Sequence, residues 1–210
     1  MKNTRFILPV LLLLFISLTL QVGCSRSQPS QFYVLTSTIE NDVSSSQADN
    51  LKDISIGIGP VELSDYMLRP QILTYERAGK LNYAEFERWA EPLDDNFARV
   101  IAQNLSLLIP TDQIFIFPFR GSARVKYQVV FEVLRFAKGA DGQVTLIVLW
   151  SIYDEQELKL LTRKKSTYQR SGPTGEETYY EQLASTMSLL LEDLSRDLAS
   201  YLLKIGGGPR

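Results

Sequence analysis

Twelve consecutive residues, Gln143–Asp154, carry apolar side chains at both odd and even positions (QVTLIVLWSIYD). Because successive side chains of a β-strand point to opposite faces, such a run predicts a central strand that is covered on both faces of a sheet. The flanking segments are also β-prone, but most of them alternate between apolar and polar residues. Further strands are predicted at Ile54–Leu63 (with a break at Gly59-Pro60), Ile72–Glu76, Lys80–Ala90, Val125–Val133 and Leu158–Arg170.

Two segments show the periodicity of helices. The first lies between Pro92, which suits a first helical turn, and Pro110, which stops a helix. The second covers about residues 176–204, and its apolar stripe fits packing on the core, a partner-binding helix or a coiled coil. We therefore predict the α/β (α+β) class: a single domain, residues 54–205, in which two main helices pack on a mixed, largely antiparallel sheet, followed by a flexible tail at 206–210.

The chain lacks the residues on which many catalytic and metal sites depend. It has no histidine and only one cysteine, which excludes Ser-His-Asp and Cys-His hydrolases, histidine-ligated metals, cysteine-clustered zinc and an intramolecular disulfide. Neighbouring carboxylates such as Asp94 and Asp95 do not point at a common substrate. The 22 basic and 24 acidic residues give a net charge of −2, without the positive excess that nucleic acid attracts. We expect no enzyme, no cofactor, no metal site and no nucleic-acid partner.

The amino terminus has the organisation of a secretory signal. Residues 1–23 begin with two basic residues, continue with an apolar run at Phe6–Leu20 that is too short to span a bilayer comfortably, and end in Gly23 before the only cysteine, Cys24. The arrangement resembles the lipobox of bacterial lipoproteins, which implies that Cys24 is lipidated and becomes the mature amino terminus. Gln21 stands where that motif usually has an aliphatic residue. The alternatives are a plain membrane anchor and a cleaved signal with an incidental cysteine.

A polar stretch follows the cysteine. Ser25 stands where enteric-type bacteria tend to have the aspartate that retains lipoproteins at the inner membrane, so we expect the periplasmic face of the outer membrane. Without residues 1–23 the chain has 20 basic and 24 acidic residues, a net charge of −4, which gives no electrostatic attraction to anionic lipid. Residues 24–53 are predicted to form a lipidated polar tether with one β-prone run, Gln31–Ile39, as a candidate first strand.

Two further segments contain residue types that are enriched in protein interfaces. SDYMLRPQILT combines charged residues with tyrosine, methionine and leucine in a predicted loop, and ERWAEPLDD has an arginine and a tryptophan before the first helix. Trp89 fits either a partner contact or a place in the core. The candidate partner-binding residues are Asp65, Tyr66, Leu68, Arg69, Gln71, Arg88 and Trp89.

The same two segments resemble a known family. The stretches GIGPVELSDYMLRPQILT and ERWAEPLDDNFARVIAQNL are similar to the PqiC-like (YmbA-like) auxiliary lipoproteins of bacterial ABC-type transport systems, in which a Val-Gly-Pro strand leads to a Tyr-Leu-x-Arg-Pro-Gln-Ile segment and an Arg-Trp-Ala-Glu-Pro-Leu helix start. The resemblance covers about residues 32–203. It rests on Gly59, Pro60, Tyr66, Leu68, Arg69, Pro70, Gln71, Ile72, Arg88, Trp89, Ala90, Glu91, Pro92 and Leu93.

This resemblance implies a role that the residues alone do not give. It implies a non-enzymatic lipoprotein that docks or assembles an MCE-domain protein and an ABC or PqiA-like permease for lipid transport between membranes. It also implies a ring-shaped homo-oligomer and a fold akin to the amino-terminal domain of TolB. Two other functions stay open: an envelope lipoprotein that activates a cell-wall synthase, and a carrier that encloses acyl chains and would need a large apolar cavity.

Overall fold

The structure is a computed structural model that describes residues 28–40, 54–77, 79–119, 124–175 and 178–206. These residues form eight strands and two helices: β1 (Gln31–Tyr33), β2 (Ile56–Leu63), β3 (Gln71–Arg77), β4 (Lys80–Trp89), α1 (Leu93–Leu108), β5 (Ile114–Ile116), β6 (Tyr127–Lys138), β7 (Gln143–Asp154), β8 (Lys159–Ser171) and α2 (Tyr179–Gly206). The predicted signal segment, Cys24 and residues 207–210 of the predicted tail lie outside the described residues.

The eight described strands form one mixed sheet around β6. One edge of β6 pairs antiparallel with β7, which in turn pairs antiparallel with β8. The other edge pairs in parallel with β2 and meets β3 where Thr74 lies opposite Lys138. From there β5 extends the sheet beyond β2, and β4 and then β1 extend it beyond β3. The longest ladders are the antiparallel ones of β6, β7 and β8, so the predicted sheet and the α+β class are confirmed.

Both helices pack on the same face of the sheet, and they also pack against each other. From α1, Phe97 meets the rings of Phe131 and Phe136 on β6 edge to face, with centroids 5.4 and 6.0 Å away. From α2, the Tyr201 ring lies 6.0 Å from that of Trp150 on β7. No helix within the described residues is both long enough and apolar enough to cross a bilayer.

The second face of β7 differs from the prediction. Within the described residues β7 is central in the sheet, and its even-numbered residues from Val144 to Ile152 are buried under the helices. Ile147 and Leu149 point to the other face and are only half-buried. The cross-strand neighbours of Leu149 are Glu132 and Lys165, whose methylene groups can shield apolar neighbours in place of a second helix layer. The expectation that both faces are covered is therefore met only in part: on this face Thr145 and Ser151 are buried, but the apolar Ile147 and Leu149 are not.

Two local features of the strands also depart from the sequence pattern. β5 has three residues, too few for a detectable alternation, and it pairs in parallel with β2 at the edge of the sheet. β2 does not end at Gly59 and Pro60. Its register on β6 shifts between Ile58 and Val61, and the strand then continues to Leu63. A bulge therefore replaces the predicted break.

The segment after β1 is held against both helices. The Leu35 N–H donates to Asn96 Oδ1 over 2.7 Å, and Asn96 Nδ2 donates to the Leu35 carbonyl over 3.1 Å. The next N–H, that of Thr36, donates to Ser188 Oγ on α2 over 3.1 Å. Residues 28–40 therefore belong to the domain. The sequence predicts a polar tether at 24–53 with a candidate first strand at Gln31–Ile39, and β1 forms the beginning of that run. The residues after β1 are fixed by hydrogen bonds to buried groups of the helices.

Replacing Asn96 by alanine should detach this segment from α1. The substitution leaves the buried N–H of Leu35 without its acceptor, so the free energy of unfolding should fall by about 2 kcal/mol. The matched control is Gln103→Ala, an exposed position on the same helix, which should change it by about 0.5 kcal/mol or less. Chemical denaturation of the purified mature protein measures both. Equal values for the two variants would show that the Asn96 hydrogen bonds do not stabilise the fold.

Candidate functional site

The two interface-prone segments meet where β3 begins and β4 ends. Gln71 lies opposite Arg88 across the antiparallel pair, and the Trp89 N–H donates to the Pro70 carbonyl over 2.7 Å. On its other side, Arg88 pairs with Phe32 of β1. We call the Asp65–Gln71 loop together with Arg88 the motif surface. Sheet pairing thus joins two segments that the sequence leaves separate.

The loop of the motif surface is a compact turn with one buried residue. The Met67 N–H donates to the Ser64 carbonyl over 2.8 Å, and the Leu68 N–H donates to the Asp65 carbonyl over 3.2 Å. The Met67 side chain is buried in the core, whereas Leu68 is 44% exposed. Asp65 and Arg69 are exposed as well. Met67 therefore anchors the loop, and its neighbours are presented to solvent.

Two tyrosines of the sheet, Tyr75 on β3 and Tyr83 on β4, hold the loop through its own Tyr66. Tyr83 donates its hydroxyl to the Tyr66 carbonyl over 3.0 Å, and the hydroxyls of Tyr66 and Tyr75 lie 3.1 Å apart. The guanidinium carbon of Arg69 lies 4.9 Å from the Tyr83 ring centre, and that of Arg135 lies 4.4 Å from the Tyr75 ring centre. Burial, aided by the hydrogen bond to Tyr66, raises the pKa of Tyr75 to about 12. Tyr75 is therefore neutral at physiological pH and holds the loop through its hydroxyl.

Arg88 and Trp89 differ in their availability to a partner. The Trp89 side chain is 5% exposed and lies in the core cluster. Of the two roles that the sequence allows for Trp89, the structure shows the one in the core. The Trp89 ring is therefore not presented to a partner. Arg88 is half-buried, and its Nε is buried without a hydrogen-bond partner among the described residues. An unpaired buried N–H costs free energy, so Arg88 is the residue of the motif surface that would gain most from an added acceptor.

Sequence reasoning missed several exposed apolar residues. Phe32 and Val34, on and just after β1, are 64% and 42% exposed; Phe117 is 46% exposed, and Leu158, at the turn between β7 and β8, is 86% exposed. A signal existed for the first two. In QFYVL the apolar residues fall on both sides of a three-residue strand, and only one side of an edge strand can face the core.

The described residues contain no cluster of three or more acidic or sulfur ligands placed to hold a metal ion.

A groove of about 440 Å³ lies between the end of β8 and the start of α2. It is lined by polar side chains such as Ser171, Glu181 and Gln182, which do not suit an acyl chain. β8 carries three consecutive basic residues, Arg163–Lys165, of which Arg163 pairs with Glu132 over 3.3 Å.

Two solved structures share the fold of this chain. The chain is similar to a solved Xanthomonas campestris protein of the DUF330 family, with 15% identity, a TM-score of 0.67 and coverage of 84% of this chain and 96% of that chain. A second crystal structure, of an uncharacterized protein, has 15% identity and a TM-score of 0.64, and the match covers 83% of this chain and 99% of that one. At such identities these likenesses show the fold alone. No curated protein sequence matches the chain.

The family model described as "ABC-type transport auxiliary lipoprotein component" matches residues 33–199. This range contains the motif surface, α1, most of α2 and almost all of the sheet. The resemblance to PqiC-like lipoproteins that the sequence suggested is thereby confirmed. The chain belongs to the family of ABC-type transport auxiliary lipoprotein components.

Proposed function

We propose that this chain is a non-enzymatic lipoprotein of the outer membrane, on the periplasmic face, that docks or assembles an MCE-domain protein of an intermembrane lipid transport system with its ABC or PqiA-like permease. Its own contribution is a rigid platform for protein contacts. Several copies arranged as a ring around the tip of the partner are part of the proposal. The lipid on Cys24 keeps this platform at the membrane.

The observation that carries the proposal is the meeting of the two motif segments on one exposed surface. Family membership supports a role beside a transporter, and the motif surface offers what a partner contact needs. Leu68 is apolar and 44% exposed, and Arg69 is held beside it by its contact with the Tyr83 ring. Arginine is enriched among the residues that dominate binding energy in interfaces, and the exposed Leu68 beside it offers apolar area that a partner can bury.

The proposal is tested by crosslinking in intact cell envelopes. A tagged wild-type protein is crosslinked, solubilised in detergent and purified, and the bound proteins are identified by mass spectrometry. We expect an MCE-domain protein and its permease. The double variant Leu68→Asp/Arg69→Glu should recover at least about tenfold less of them, since loss of two central contacts commonly costs 2 kcal/mol or more. Self-crosslinked species report whether several copies surround the partner.

The matched control is Leu158→Asp, which puts the same charge at an 86% exposed leucine on the turn between β7 and β8. It should recover the partner like the wild type. Recovery of a cell-wall synthase without any MCE-domain protein would contradict the transport role and favour the synthase-activating alternative. Equal losses in the double variant and the control would show that the motif surface is not the contact.

A further inference from the structure

The attachment of residues 28–40 to the domain leaves only a short connection to the proposed anchor. β1 begins at Gln31, seven residues after Cys24 in the sequence. Seven extended residues span at most about 25 Å. By contrast, α2 has 28 residues, which corresponds to a length of about 42 Å. A lipid on Cys24 therefore holds the β1 side of the domain at the membrane, and the domain cannot move far away from it.

The β1 side also carries the apolar residues that a membrane surface would contact. Phe32 and Val34 are 64% and 42% exposed, whereas Leu35 is fully buried and Tyr33 lies beside the Tyr180 ring, with centroids 6.2 Å apart. Residues two apart on an extended segment share a face. Phe32 and Val34 therefore form an outward pair that contributes nothing to the core.

A cation lies beside this pair. Arg88 is the register partner of Phe32 in the parallel pair of β1 and β4, so the two side chains lie on the same face of strands that are about 5 Å apart. Arg88 itself is half-buried. A guanidinium next to exposed apolar side chains matches the boundary of a lipid layer, where phosphate groups meet acyl chains.

We infer that Phe32 and Val34 rest in the headgroup region of the membrane that holds the lipid anchor, with the cation Arg88 beside them. This inference deepens the proposed function and rests on its lipidated Cys24. It fixes the orientation of the domain. β1 faces the membrane, and the Asp65–Gln71 loop, which joins Arg88 through Gln71, lies directly beside the lipid surface. The turn that contains Leu158 belongs to the β7–β8 hairpin and takes no part in the contact.

The experiment uses the complete lipidated chain in vesicles of phosphatidylethanolamine and phosphatidylglycerol. Because the lipid occupies the only native cysteine, a cysteine introduced by Val34→Cys is the single free thiol and takes an environment-sensitive fluorophore. Spin-labelled lipids in the vesicles quench fluorophores that reach the headgroup region, and iodide in the buffer quenches those in water. Leu158→Cys, labelled in the same way, is the control. A second pair of samples adds Phe32→Glu to each labelled protein.

We expect lipid quenching at position 34 to exceed that at position 158 several-fold, with the reverse order for iodide. Phe32→Glu should reduce lipid quenching at position 34 and leave position 158 unchanged. Equal lipid quenching at the two positions overturns the inference. Protection of position 34 from both quenchers also overturns it, because another protein copy or segment would then cover the pair.

The two proposals fail in different ways. Mass spectrometry of the purified chain before reconstitution reports the lipid on Cys24; its absence removes the anchor of the proposed function and, with it, this inference. If the lipid is present and the MCE-domain partner is recovered by crosslinking, a lack of lipid quenching at position 34 refutes the membrane contact alone.

Discussion

Truncation of Phe97 to alanine is expected to lower the free energy of unfolding by about 3–5 kcal/mol. Phe97 is fully buried and meets two phenylalanines of β6 edge to face, at centroid distances of 5.4 and 6.0 Å. The substitution removes both ring contacts and leaves a cavity between α1 and the sheet. Since α1 also packs on α2, neighbouring side chains cannot easily move in to fill it. Chemical denaturation of the purified mature protein gives the difference.

The matched control is Phe32→Ala, which removes the same ring from a position that is 64% exposed. It should alter the free energy of unfolding by about 0.5 kcal/mol or less. If Phe97→Ala cost no more than Phe32→Ala, the packing of α1 on β6 would have to be abandoned. The same control separates the two roles of phenylalanine in this chain, because Phe32 serves the proposed membrane contact without serving the core.

The long elements could be predicted because each carries a strong apolar signal along its whole length. The apolar stripe of α1 repeats at helical spacing between Pro92 and Pro110, and the observed helix, Leu93–Leu108, lies just inside these prolines. The predicted central strand agrees with β7 at both ends, Gln143–Asp154. In both elements many apolar residues indicate the same buried face or strand, so a single polar residue among them does not obscure the prediction.

Pairings between distant segments could not be predicted, because nothing in either segment specifies its partner. β1 pairs in parallel with β4, and β2 pairs in parallel with β6; neither pair is joined by a tight turn. The attachment of the segment after β1 to the helices could not be predicted for a related reason. Its Leu35 is fixed by Asn96, a polar residue within an apolar helix stripe, and a buried amide gives no sign in sequence of which backbone it will bind.

Anchor, membrane face and partner loop lie in one order along the sheet. The chain enters at β1, β1 pairs with β4 through Phe32 and Arg88, and β4 pairs with β3 through Arg88 and Gln71. The connection to Cys24 is short, and the Asp65–Gln71 loop leads into β3, which only β4 separates from β1. The proposed partner contact therefore lies close to the bilayer. An auxiliary lipoprotein built in this way would hold the end of a periplasm-spanning partner at the membrane surface instead of reaching across the periplasm itself.

Loss of the lipid should remove nearly all of the protein from the membrane. The variant is Cys24→Ala with residues 1–23 exchanged for a conventional cleavable signal peptide, so that no uncleaved signal acts as an anchor. Each buried methylene of an acyl chain contributes about 0.8 kcal/mol to membrane affinity, and several chains give stable attachment. The rest of the mature chain has a net charge of −4, and the exposed Phe32 and Val34 present too little apolar area to replace the lipid.

Fractionation of cell envelopes and flotation of membranes measure this change, and Ser25→Asp serves as the companion variant. Ser25→Asp keeps the lipidated cysteine, so it should remain membrane-bound and, in a bacterium that sorts lipoproteins by an aspartate at this position, shift from the outer to the inner membrane. A Cys24→Ala protein that stays in the membrane fraction and still recovers the MCE-domain partner would show that lipidation is not the anchor. If Cys24→Ala is released but Ser25→Asp does not shift to the inner membrane, lipidation of Cys24 is supported as the anchor. The assignment to the outer membrane then has no support.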